Sequence, residues 1–108
     1  MPKLGFGLGL STGNKRVASY KATGSGLSPN INGMLFYQNG IFNGKPLYIG
    51  NNGFFLWYSP AILWVINKTK TTGLGVAAFF QVPPASEPTS KTYAGQYGFT
   101  GTVTIVKV

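Results

Sequence analysis

The sequence predicts an all-β protein, a small antiparallel β-meander or sandwich preceded by an extended, Gly-rich and basic N-terminal arm. Two observations favour this fold class. Asn-Gly occurs four times between residues 32 and 53, and the intervening runs are short, aromatic and β-branched. Asn-Gly is typical of hairpin turns because both residues accept a positive φ. No window shows the 3.6-residue apolar period of a helix, so we expect almost no helix.

The first 16 residues are the predicted arm, and residues 17–108 are a single β domain. Glycines at positions 5, 7 and 9 oppose a stable helix in the arm. A chain of 108 residues is hardly long enough for two domains. Basic residues are concentrated at this end of the chain, and we assign four of them to partner binding: Lys3, Lys15, Arg16 and Lys21.

Seven strands are predicted after the arm, from the runs of aromatic and β-branched residues. They cover residues 17–22, 34–38, 46–49, 54–58, 62–67, 76–82 and 102–108. Asn-Gly turns, a Ser-Pro-Ala turn at 59–61 and a Pro-rich loop at 83–90 separate them, since proline cannot join the middle of a ladder. Residues 95–101 are expected to form a turn. We expect the last strand to leave an unpaired edge.

Two adjacent predicted strands are apolar on both faces. Side chains alternate along a strand, so Phe54 and Leu56 cannot share a face with Phe55 and Trp57. Either a second layer of the same chain covers the outer set, or a partner does. For the second case the partner-binding residues are Phe55, Trp57, Leu63 and Val65, and we expect Trp57 or Trp64 to contact a neighbouring chain.

The charge composition excludes most catalytic and metal sites. The net charge is +8, Glu87 is the one acidic residue, and the chain has no His and no Cys. Such a chain lacks the residues for a zinc site, a catalytic triad or a carboxylate pair, so we expect no enzymatic activity, no metal and no cofactor. The longest apolar run, residues 54–66, is shorter than the roughly 20 residues of a membrane span, and no membrane partner is expected. The positive charge favours an acidic partner.

The segment from 32 to 66 resembles a small β-module of tailed-bacteriophage virion structural proteins. The module's pattern is Asn-Gly before a short strand, Asn-Gly-Lys-Pro with an apolar residue and Tyr, and two Trp-containing strands. The matching residues are Asn32-Gly33, Asn43-Gly44-Lys45-Pro46-Leu47-Tyr48, Phe55-Leu56-Trp57-Tyr58 and Trp64-Val65-Ile66. The start at residues 4–11 also looks like the starts of such proteins. The chain departs from the module in lacking a Trp near its C-terminal turn, where Phe99 is the nearest aromatic residue.

The resemblance implies a non-catalytic protein located in the virion. Its most specific form is a capsid decoration, auxiliary or cement protein. The implied partners are the major capsid protein or other virion proteins and further copies of this chain. Two alternatives stay open: a neck or tail component, and a β-sheet module that binds nucleic acid or glycan, with nucleic acid the second choice of partner.

Overall fold

A computed structural model describes residues 17–61, 63–73, 75–89 and 91–108. The predicted arm, with Lys3, Lys15 and Arg16, lies outside these residues. The described part contains eight strands, one 3-10 turn at Asn51–Gly53 and no α-helix. The strands are β1 (Tyr20–Thr23), β2 (Leu35–Phe42), β3 (Lys45–Ile49), β4 (Phe55–Ser59), β5 (Leu63–Asn67), β6 (Ala78–Val82), β7 (Thr92–Gln96) and β8 (Thr102–Lys107).

The eight strands form a closed antiparallel barrel in which each strand pairs with its neighbours in sequence. The predicted all-β antiparallel meander is thus confirmed, and the sheet closes on itself. The expected open edge at the last strand is wrong, because β8 pairs with β7 on one side and with β1 on the other. Lys21 lies opposite Val106 and Ala22 opposite Ile105 in the closing pair. Closure leaves neither β1 nor β8 as an unpaired edge.

The turn predictions differ in outcome. Asn43 and Gly44 have φ values of 55° and 79° and connect β2 to β3, as a type I′ turn requires. Asn39 and Gly40, also predicted as a turn, lie inside β2, where the register with β3 shifts. A bulge places a glycine at positive φ without reversing the chain, and Gly40 has a φ of 75°. The sequence therefore predicted too short a β2.

Because the strands alternate in direction, successive connections lie at opposite ends of the barrel. One end, which we call the arm end, holds the start of β1, the β2–β3 and β4–β5 turns, the loop after Val82 and the end of β8. The other, the far end, holds the remaining connections. The arm therefore joins the barrel at the same end as the C-terminal residue.

Inward-facing side chains fill the barrel. Tyr48 contacts Tyr20 edge-on at 4.9 Å between ring centroids, and its ring lies 6.2 Å from that of Trp64. At the far end, Phe99 packs against Phe79 at 5.0 Å and against Phe54 at 6.1 Å. No pocket is found among the described residues. The candidate sites considered below therefore lie on the surface of the barrel.

The Pro-rich loop, residues 83–89, is tied to the arm end by three inward-facing side chains. Trp64 Nε1 donates to the Ser86 carbonyl at 3.0 Å, and the Tyr93 hydroxyl donates to the Pro88 carbonyl at 2.8 Å. Gln81 bonds the loop twice: its Nε2 donates to the Glu87 carbonyl at 2.7 Å, and its Oε1 accepts the backbone N–H of Ala85 at 2.9 Å. These hydrogen bonds hold the loop against the interior side chains at the arm end of the barrel.

Candidate interaction surfaces

The outer face of the barrel carries a second apolar cluster, separate from the interior. Alternation along five adjacent strands, β2 to β6, points one set of side chains outward at neighbouring positions. We call this set the outer aromatic cluster, and its members are Phe42, Leu47, Phe55, Trp57, Val65, Ala78 and Phe80.

The centre of the outer aromatic cluster is covered by the chain itself. Trp57 is 3% exposed and Val65 is fully buried. The Phe42 ring packs edge-on against Trp57 at 5.8 Å. Trp57 Nε1 donates to the Asn67 side-chain oxygen at 3.0 Å, and the Asn67 amide nitrogen donates to the Thr71 carbonyl at 2.8 Å. These bonds hold the segment after β5 beside the indole.

Lysines surround the aromatic rings at the surface. Lys70 Nζ lies 4.8 Å from the centre of the Phe55 ring and 5.2 Å from that of Phe42. Lys45 Nζ lies 5.6 Å from the Tyr58 ring, which packs against the interior cluster and not against the outer one. A lysine can bury its alkyl stem against an aromatic ring while its ammonium group stays in water. The outer aromatic cluster thus has half-buried rings at its rim, and the Lys70 ammonium group lies above two of them.

The structure brings together three of the four residues predicted to bind a partner through the apolar face. Phe55, Trp57 and Val65 pack in one cluster, whereas Leu63 lies half-buried opposite Ser59 and outside that cluster. Trp64 points inward and is 2% exposed. Neither indole is open to a partner in the single chain, so the covering layer comes from the chain itself at Trp57. Partner binding by Phe55 and Leu63 stays a prediction.

Four members of the cluster were missed from the sequence, namely Phe42, Leu47, Ala78 and Phe80. Leu47 lies on β3 and Phe80 on β6, the strands that flank β4 and β5. The alternation argument that was applied to β4 and β5 would have placed both residues outward if it had been extended to these strands. The position of Lys70 had no such signal, because it depends on how the segment after Asn67 turns.

Positive charge is concentrated at the arm end. Lys45, Lys91 and Lys107 lie at the ends of strands there or in the loop and are exposed, and the arm enters at the same end. Glu87 belongs to the Pro-rich loop at this end. Lys21 is exposed on the outer face of β1, opposite Val106. We call Lys45, Lys91 and Lys107 the basic end.

Two interior tyrosines are held in the neutral form. Burial raises the pKa of Tyr93 far above its ordinary value, and the nearby Tyr20 adds to the shift. Burial also raises the pKa of Tyr48, and its hydrogen bond with Tyr20 contributes. Neither hydroxyl is therefore set up as a base or a nucleophile at neutral pH.

The described residues contain neither a cluster of metal-ligating side chains nor a membrane-spanning helix. Within residues 17–61, 63–73, 75–89 and 91–108, no group of three or more His, Cys, Asp or Glu side chains comes together. Across the same part of the chain, no helix is long and apolar enough to cross a membrane.

Comparisons with family models, with curated proteins and with solved structures return no match.

Proposed function

We propose that this chain is a non-catalytic structural protein of a tailed-bacteriophage virion, a capsid decoration protein that binds an acidic shell surface through its basic end and arm. The observation that carries the proposal is the placement of charge. A filled barrel offers binding only on its surface, and that surface carries exposed lysines with a single acidic side chain among the described residues. The resemblance of residues 32–66 to a virion module supports the phage assignment.

The basic end suits a broad acidic surface better than a small ligand. Its three lysines lie on different strands or loops, and the arm adds Lys15 and Arg16 immediately before Val17. Exposed charges separated in this way steer and orient a partner more than they fix one bound group. Such binding weakens as salt rises, because the Debye length falls to about 8 Å at physiological ionic strength.

Co-sedimentation with phage particles that lack the protein tests the proposal. The full chain should bind such particles at 50 mM NaCl and bind more weakly at 500 mM. The double variant Lys91→Glu/Lys107→Glu should lose binding at the basic end. Lys107→Glu alone should also weaken binding, and Lys68→Glu is its matched control, since it makes the same charge change at the far end. Equal loss in these two single variants would overturn the assignment of the basic end.

Nucleic-acid binding is the competing outcome, and it is measured in parallel. A protein that neutralises phosphates loses affinity steeply as salt rises. The full chain is titrated with duplex and single-stranded DNA at 150 mM NaCl. Retention of DNA at this salt without co-sedimentation with the particles would overturn the capsid proposal. Co-purification of the protein with intact virions through a density gradient would support it.

A further inference from the structure

Three exposed valines lie beside the point where the arm joins the barrel. Val17 is 83% exposed, Val106 38% and Val108 69%. The Val108 N–H donates to the Ser19 carbonyl at 3.2 Å. Lys21, two residues after Ser19, lies opposite Val106 in the same strand pair. Val17 stands two residues before Ser19, in the segment that leads into β1. Val106 and Val108 are therefore exposed on the outer side of β8, with Val17 close to them through Ser19, and we call the three residues the valine patch.

The arm contains a segment whose pattern fits such a patch. Residues 4–10, which lie outside the described residues, read Leu-Gly-Phe-Gly-Leu-Gly-Leu. In an extended chain this strict alternation places four large apolar side chains on one edge and only glycine on the other. Glycine allows close approach of a backbone to another surface. The segment therefore has one apolar edge with no polar side chain along it.

We propose that residues 4–10 of one copy cover the valine patch of a second copy. The barrel is closed, so its described strands offer the arm no free edge at β1 or β8. The described residues of a single chain leave the patch exposed. Residues 11–16 join the segment to Val17 and extend at most roughly 20 Å. Because each arm starts at its own patch, two copies that face each other through their patches exchange arms reciprocally around a two-fold axis.

This inference goes beyond the proposed function, because it concerns contacts between copies and not contacts with an acidic shell. The two kinds of contact respond to salt in opposite directions. Two chains of charge +8 repel each other, and salt screens that repulsion, so arm exchange strengthens as NaCl rises. Binding to an acidic surface weakens over the same range. Failure of one proposal is thus distinguishable from failure of the other.

Sedimentation of the full chain at 50 and 500 mM NaCl gives the first test. We expect a monomer–dimer equilibrium with more dimer at the higher salt. Val106→Lys should weaken the dimer roughly tenfold or more, because it buries a charge under the partner's arm. Val82→Lys is the matched control, since Val82 is 51% exposed on β6, which β7 separates from β8. A monomer at both salts, or equal loss in both variants, would overturn the proposal.

Disulfide trapping identifies which copy supplies the arm. The chain has no native cysteine, so introduced ones can be assigned without ambiguity. Leu8→Cys chains mixed with Val106→Cys chains under mild oxidation should form a mixed disulfide dimer. Leu8→Cys mixed with Val82→Cys should form far less. If the double variant Leu8→Cys/Val106→Cys instead closes an internal disulfide at monomer mass, the arm covers its own patch and exchange between copies is wrong.

Discussion

Asn67 links the outer aromatic cluster to the segment that covers it. Its side chain is fully buried, and three N–H donors converge on its oxygen: Trp57 Nε1 at 3.0 Å, Thr69 N at 3.2 Å and Lys70 N at 3.1 Å. A buried amide with its partners in place is stabilising, but the same partners are left unsatisfied when it is removed. One residue at the end of β5 therefore fixes both the indole and the start of the following turn.

Replacement of Asn67 by alanine should lower the free energy of unfolding by about 3 kcal/mol, because buried N–H groups lose their acceptor. Urea unfolding followed by tryptophan fluorescence measures the change. Asn39→Ala is the control, because Asn39 is exposed within β2. Similar unfolding midpoints for the two variants would contradict the role given to Asn67.

The buried tyrosines predict the alkaline limit of stability. Tyr93 and Tyr48 have pKa values raised in the folded state, so their contribution is fully present below the ordinary tyrosine pKa of 10.0. As pH rises further, the unfolded chain ionises first and stability falls. Tyr93, which is fully buried, then lowers the free energy of unfolding by about 1.4 kcal/mol per pH unit in that range.

Tyr93→Phe should therefore make the decline of unfolding free energy between pH 10 and 11.5 shallower by about 1.4 kcal/mol per pH unit. Urea unfolding at a series of pH values measures this slope. Val103→Ala, a change at another fully buried position, should be less stable throughout but keep the original slope. An unchanged slope in Tyr93→Phe would show that Tyr93 ionises before the protein unfolds.

At the scale of the elements, the Pro-rich loop is held mainly by side chains of the strands around it. Gln81 is 1% exposed, and both the oxygen and the nitrogen of its side-chain amide form hydrogen bonds with the loop backbone. Gln81→Ala should release residues 83–89 and cost about 2 kcal/mol. Hydrogen exchange at the Ala85 amide, which bonds to Gln81, should become at least tenfold faster. Gln96→Ala, at an exposed position, is the control. Unchanged exchange at Ala85 would contradict this anchoring.

The same elements show how far local sequence predicts this fold. Asn43-Gly44 carries its own turn geometry, so the β2–β3 hairpin was predictable. Asn39-Gly40 has the same composition but forms a bulge, because its outcome depends on pairing with β3. β7 was missed because Gly95 resembles a turn residue; a side chain there would collide with the Phe99 carbonyl. Closure of β8 on β1 depends on strands more than 80 residues apart, which no local pattern encodes.

The outer face of the barrel was likewise predictable only where it depends on local sequence. Alternation predicted that Phe55 and Trp57 share a face, and this is confirmed. It could not predict that Lys70 lies over that face, because its position depends on the turn after β5. Alternation alone therefore identifies a two-faced sheet, and the covering segment determines whether the outer face is open.

For the whole molecule, closure of the barrel and the net charge have opposite effects on the stability of the folded state. The closed, filled barrel buries two apolar clusters in 108 residues. The net charge of +8 destabilises the compact state through self-repulsion, since the described surface offers Glu87 as its one acidic side chain. An acidic partner would relieve that repulsion, which connects the stability of the barrel to the proposed binding.

The free energy of unfolding should therefore rise between 10 and 300 mM NaCl, as the Debye length falls from about 30 Å to less than 8 Å. Urea, being uncharged, is the suitable denaturant. Each Lys→Glu substitution lowers the net charge by two, so the double variant Lys91→Glu/Lys107→Glu has a net charge of +4 where the parent has +8. This variant should be more stable than the parent at 10 mM NaCl, and the difference should shrink at 300 mM. Measurements are made at low protein concentration, so that arm exchange does not contribute. A parent protein whose stability is independent of salt would show that its lysines are too far apart to repel, and would remove the energetic link between charge and partner binding.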